Sequence, residues 1–104
     1  MNVAVIPAYN EATQIADVIK NTSAFVDRIV VVDDGSRDDT ARIAREAGAT
    51  VIQHPINRGL GATLGTGIKA ARQLGGEVIV TLDADGQHLP HEIPLFIEAI
   101  RDRG

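Results

Sequence analysis

The chain has no cysteine in its 104 residues. Disulfides and thiolate zinc sites are therefore excluded. It has no tryptophan, and its aromatic residues are Tyr9, Phe25 and Phe96 alone. A core must come from Val, Ile, Leu and Ala instead. No apolar run approaches the roughly 20 residues that a membrane span needs. The first residues carry neither a basic segment nor the apolar core of a signal peptide. A cytoplasmic protein, or one working at the cytoplasmic face of a membrane, is expected. There is no excess of basic charge: the net charge is -4 and the Lys and Arg residues are scattered. That argues against a nucleic-acid surface but not against a nucleotide held through a metal. Repeats, linkers and low-complexity tracts are missing as well.

Apolar residues make up 44% of the chain, enough to fold one small domain. Short apolar runs over residues 3–6, 28–32, 50–52 and 77–82 read as strands. Proline closes the first. Between them, residues 11–23, 39–47 and 60–74 have helical spacing, and residues 91–101 follow as a fourth helix. Ile15, Val18, Ile19 and Thr22 should face inward on the first helix. Leu60, Leu64, Ile68, Ala71 and Leu74 should do so on the third. Strand alternates with helix four times, and the strands are apolar on both faces. The expected fold is α/β: a Rossmann-like parallel sheet of about four βα units with helices on both faces. All strand ends then open on one edge, where ligands bind.

The residues past those ends are distinctive. The strand at residues 77–82 runs into Asp83, Ala84, Asp85, Gly86, Gln87 and His88. In an extended segment Asp83, Asp85 and Gln87 point the same way. Two carboxylates that close repel each other, and a divalent cation with a taste for oxygen ligands, Mg2+ or Mn2+, relieves this. The plain alternative is that they cap a helix or solvate a turn. His88 is a candidate to reach a substrate. Asp33 and Asp34 end the second strand and are candidates to accept hydrogen bonds from a base or ribose. Ser36, Asp38 and Asp39 suit helix capping. The loop of Pro7, Ala8, Tyr9, Asn10 and Glu11 is either a connection with Asn10 as cap or a pocket wall in which Tyr9 and Glu11 touch a nucleoside. Asn57, Arg58 and Gly59 stand before the third helix, near a phosphate or sugar. Gly65 and Gly67 inside that helix cost about 1 kcal/mol each against alanine, so close packing or a ligand should offset them. Their spacing imitates a dinucleotide fingerprint, but the glycines do not sit in the strand–helix turn that such a site needs.

Four stretches taken together resemble the family 2 glycosyltransferases: residues 5–11, residues 32–36, Asn57-Arg58-Gly59, and Asp83-Ala84-Asp85-Gly86. Gln87 and the stretch from Gly59 to Gly67 look most like the dolichol- and polyprenyl-phosphate mannosyl- and glucosyltransferases. The resemblance implies a GT-A fold and an inverting, metal-dependent transfer from a GDP- or UDP-linked sugar to an acceptor such as a polyprenyl phosphate. It implies that Pro7, Ala8, Tyr9 and Glu11 hold the nucleoside, and that Asp34 meets the base with Asp33 beside it. Arg58, Gly59, Asp83 and Ala84 join this nucleotide-sugar site. Asp83 and Asp85 match the Asp-x-Asp metal motif, and Gln87 a further ligand. No catalytic base is assigned. Members carry a second half with the acceptor platform, so residues 1–104 are expected to be a single donor-binding domain without it. Two rival readings are a non-catalytic nucleotide-sugar-binding module working with a partner chain, and a dinucleotide-dependent redox domain. An uncovered edge would favour self-association.

Overall fold

The computed structural model describes residues 1–82 and Ala84. It contains four strands, β1 (Asn2–Ala8), β2 (Arg28–Asp34), β3 (Thr50–His54) and β4 (Val78–Thr81). Three helices connect them: α1 (Ile15–Thr22), α2 (Thr40–Glu46) and α3 (Leu60–Gln73). The strands form one parallel sheet in the order β3-β2-β1-β4. The expected α/β class is what the structure has. The expected helix over residues 91–101 lies outside the described residues.

The order explains the layers. The chain steps from β1 to β2 to β3 in one direction, then returns past β1 to lay down β4 on the far side. Right-handed crossovers in opposite directions put their helices on opposite faces. One face accordingly packs Ala4, Ile6, Ile29 and Val31 with Ile15 and Ile19 of α1 and Ala44 of α2. The other packs Val3, Val5, Val30 and Val32 with Ala71 of α3. Alternate residues of β1 and β2 serve alternate faces, so both strands are apolar throughout. The same reversal puts the crossover that leaves β1 and the crossover that enters β4 on opposite faces, and open sheets of this kind form a crevice at such a junction.

Several element ends differ from the sequence pattern, each for a local reason. β1 continues through Pro7 to Ala8. Val5 accepts a hydrogen bond from the Leu82 N–H on the β4 side. Pro7, two residues on, turns the same edge toward a flank where β4 pairing has already ended, so its missing N–H costs nothing. Helix α1 starts at Ile15 instead of residue 11: residues 12–14 form turns, and the Glu11 and Ala12 N–H groups donate to Thr40 and Asp38. β3 runs on through Gln53 and His54, which pair in register with Asp33 and Asp34.

The inward face of α3 is the largest difference. Its buried residues are Thr63, Gly67 and Ala71, while Leu60 is 62% exposed. Leu64 and Ile68 are half-buried. A Cβ on Gly67 would lie 2.3 Å from Val5 Cγ1 and 3.2 Å from Val32 Cγ2. The helix therefore rests on the sheet along its small residues, and the large ones flank the contact. The offset that Gly67 requires is helix–sheet packing. Gly65 has open space around it.

The two glycines should thus respond oppositely to alanine. Gly67→Ala is expected to destabilise the fold by about 1–3 kcal/mol through overpacking, despite the better helix propensity. Gly65→Ala is expected to stabilise it by up to about 1 kcal/mol. Urea denaturation midpoints of the two variants check both signs.

Candidate functional site

A cavity of about 210 Å³ opens at the carboxyl edge of the sheet. Pro7, Ala8, Tyr9 and Glu11 from the β1–α1 connection form one wall. Asp34 from the end of β2, and Leu60 and Thr63 from the first turn of α3, form another. Ala84, past the end of β4, closes it. This is the β1–β4 junction at which the strand order reverses. The volume formed by the described residues is below the roughly 300–1,000 Å³ of complete small-molecule sites.

The β1–α1 connection is held by its neighbour. Asn10 has a positive φ of 53°, which asparagine tolerates better than most residues. Its N–H donates to Ser36 Oγ at 2.8 Å, and its Oδ1 accepts from the Arg37 N–H at 2.9 Å. The Glu11 N–H donates to Thr40 Oγ1 at 2.9 Å, and the Ala12 N–H to Asp38 Oδ2 at 3.2 Å. The Thr40 hydroxyl in turn donates to Asp38 Oδ1. These bonds, led by the one from Thr40, hold the Asp38 carboxyl below its ordinary range. Ser36, Asp38 and Thr40 thus clamp the wall that carries Tyr9 and Glu11. Of the three residues expected to cap α2, Ser36 is spent on Asn10. Asp38 does accept from the Thr40 N–H at the helix start, at 3.1 Å. Asp39 takes the N-cap position without a side-chain cap bond.

Asp34 is the electrostatic centre of the site. It is 5% exposed. Its Oδ1 accepts from the Arg58 N–H at 2.9 Å and from His54 Nδ1 at 2.9 Å. Its Oδ2 accepts from the Gly59 N–H at 2.9 Å. Burial by itself pushes this carboxyl up, but the bonds from His54, Arg58 and Gly59 together outweigh it and leave the group below its ordinary range. It is an ionised acceptor at neutral pH. Gly35 follows at φ 77°, and a Cβ there would lie 2.6 Å from the Asn57 nitrogen. Only glycine lets the β2–α2 and β3–α3 connections approach this closely.

Six of the residues expected in a nucleotide-sugar site therefore line one cavity: Pro7, Ala8, Tyr9, Glu11, Asp34 and Ala84. Asp33 points elsewhere: it is buried, and its Oδ1 accepts from the Ser36 N–H at 3.1 Å. Arg58 and Gly59 contribute through their backbone N–H groups, which are committed to Asp34. Asp83, Asp85, Gln87 and His88 lie outside the described residues. Among the described residues no group of three or more His, Cys, Asp or Glu side chains is arranged to hold a metal ion. The sequence pattern missed Thr63, Leu60, His54 and Thr66. Thr63 was detectable, since it precedes Gly67 and Ala71 by helical steps. His54 was not, because its role depends on a register across two strands.

The family model for glycosyl transferase family 2 matches residues 3–104. An uncharacterized protein of Methanocaldococcus jannaschii is 45% identical over 96% of the chain and 42% of its own length. A UDP-N-acetylglucosamine–dolichyl-phosphate N-acetylglucosaminyltransferase of Methanococcus voltae is 38% identical over 92% of the chain and 45% of its own length. Among solved structures, glucosyl-3-phosphoglycerate synthase of Mycobacterium tuberculosis, in complex with Mn2+, UDP and glucosyl-3-phosphoglycerate, superposes with a TM-score of 0.76 at 27% identity, covering 96% of the chain and 39% of its own. The chain thus spans less than half the length of these relatives. No helix among the described residues is long and apolar enough to cross a membrane.

The Asp34 carboxylate gives a pH prediction. Its folded value lies below the unfolded value, so its stabilisation is fully present above the unfolded range near pH ~4. That stabilisation is lost as pH falls through the folded value. Asp34→Asn leaves at least one buried N–H without an acceptor and should cost about 1–3 kcal/mol at pH 7. The gap to the natural chain should narrow steadily below about pH 4. Chemical denaturation of both chains at pH 7 and in the acid range measures it; a gap independent of pH would refute the assignment.

Proposed function

This chain belongs to glycosyl transferase family 2, and on that premise we propose that it is the nucleotide-sugar-binding domain of a glycosyltransferase. The transfer runs from a GDP- or UDP-linked sugar to a polyprenyl or dolichyl phosphate, with inversion at the anomeric carbon. The observation that carries this reading is the cavity at the β1–β4 junction, where an ionised Asp34 lines the same space as Tyr9, Glu11 and Ala84. In sequence, Ala84 is flanked by Asp83 and Asp85.

Each residue has a role in this reading. The Pro7–Ala8–Tyr9 wall and Glu11 bind the nucleoside, with the Tyr9 ring offering a flat apolar surface and Asp34 accepting a hydrogen bond from the base. Asp33 holds the turn beside it. The Arg58 and Gly59 N–H groups keep Asp34 in place. The donor set of Asp83, Asp85 and Gln87 is all oxygen, which suits Mg2+ or Mn2+ over softer metals. A divalent cation bound there would neutralise the diphosphate leaving group. The solved relative with Mn2+ and UDP and the dolichyl-phosphate relative support the donor and the acceptor class respectively. A phosphate acceptor is already largely ionised near neutral pH, its second pKa being about 6, so this chemistry asks little of a general base.

Calorimetric titration of GDP, UDP and their mannose and glucose conjugates, with and without manganese, tests the reading. Manganese-dependent binding is expected, and Asp85→Ala should abolish the metal dependence. Equal binding with and without metal, unaffected by Asp85→Ala, would remove the metal assignment. Binding of NAD(P) in preference to any of these would overturn the donor assignment.

A further inference from the structure

His54 is buried, 7% exposed, and neither ring nitrogen is spare. Its Nδ1 lies 2.9 Å from Asp34 Oδ1, and its Nε2 lies 2.9 Å from Thr66 Oγ1. Because Asp34 is an ionised acceptor, Nδ1 carries the proton between them. The pair is fixed by the sheet: Asp34 and His54 are direct partners in the β2–β3 register. Thr66 fixes the far end of the ring from α3.

Only one end of this chain of bonds reaches the cavity. Asp34 lines it; His54 and Thr66 are not among the described residues that do. The succession Asp–His–Thr therefore does not aim a hydroxyl nucleophile at a ligand. It acts in the other direction, on the carboxylate. An ionised carboxylate has about four acceptor positions. His54, Arg58 and Gly59 fill three of them, two on Oδ1 and one on Oδ2. The fourth, on Oδ2, has no partner among the described residues.

We propose that His54 is a positioning residue for ligand selection: through Nδ1 it fixes the rotation of the Asp34 carboxylate so that the remaining Oδ2 acceptor position is presented to the cavity. The ligand group it selects is a hydrogen-bond donor, the ring N–H of a uracil or guanine base. This rests on the reading of the cavity as a nucleotide site. Without His54, Oδ1 loses one of its two anchors, and the carboxylate can turn to satisfy itself elsewhere. Selection between a base with and without that N–H then fades, because a buried acceptor discriminates by the cost of being left unpaired.

The test compares His54→Leu with His54→Asn, whose side-chain amide can replace Nδ1 but cannot reach Thr66. Each chain is titrated calorimetrically, in manganese, with UDP and GDP and with the same nucleotides methylated at the ring nitrogen. The natural chain should prefer the unmethylated form of the nucleotide it binds by at least about tenfold. His54→Leu should bring that ratio toward one, and His54→Asn should restore most of it. A merely structural role would weaken methylated and unmethylated forms alike; an unchanged ratio in His54→Leu overturns the proposal. If His54→Leu does not fold, Thr66→Val replaces it. Freeing the ring should lower the ratio by at least about threefold, and an unchanged ratio is again fatal. Should the natural chain bind neither nucleotide, the donor-site reading fails. The positioning role is then read from the Asp34 carboxyl carbon by NMR titration. Its midpoint should rise in His54→Leu and return in His54→Asn, and identical midpoints would overturn it.

Discussion

The Asp34 carboxylate ties together parts of the chain that nothing in the local sequence connects. It ends β2, takes His54 from β3, and takes the Arg58 and Gly59 N–H groups from the entrance to α3. A buried carboxylate is costly unless its acceptors are filled. Here that demand fixes the path of the connection from residue 55 to residue 59, which has no regular structure of its own. Gly35 makes the arrangement sterically possible by letting the two connections touch. The shape of the cavity wall is therefore a consequence of satisfying one charge.

A second clamp works in the same way on the opposite wall. The Asn10, Glu11 and Ala12 N–H groups of the β1–α1 connection donate to Ser36, Thr40 and Asp38. Both clamps draw on the carboxyl end of β2 or the residues just after it, β2 being the strand at the middle of the β3-β2-β1 run. The site thus stands on loops that are braced against each other over a rigid parallel sheet. That design combines chemical variety with fixed geometry. It also explains why so many polar residues at the carboxyl edge are bonded within the chain.

The fold was largely legible in the sequence. Apolar runs of strand length alternating with amphipathic stretches leave little choice but a parallel α/β sheet. The cavity-lining residues Pro7, Ala8, Tyr9 and Glu11 could be read as one group because strand ends in such a sheet must share an edge. The inward face of α3 was misread, since periodicity weighs large apolar residues most heavily. Close approach to β1 instead needed small ones, Thr63 and Gly67 together with the expected Ala71. The capping reading of Ser36 failed for a related reason: its sequence context fits a cap, but a long-range partner, the Asn10 N–H, competed for the hydroxyl.

By itself, the sequence determined the class of fold, the edge at which the cavity opens, and the family to which the chain belongs. These follow from composition, periodicity and short motifs, all of which are local. Tertiary structure alone decided which carboxylates are spent internally and which faces the cavity. Asp33 and Asp34 are neighbours in the chain and chemically identical. Strand alternation sends them to opposite sides of the sheet, so one holds a turn and the other the site. The partnership of His54 with Asp34 came from the β2–β3 register, a pairing of residues 20 positions apart that no local pattern encodes.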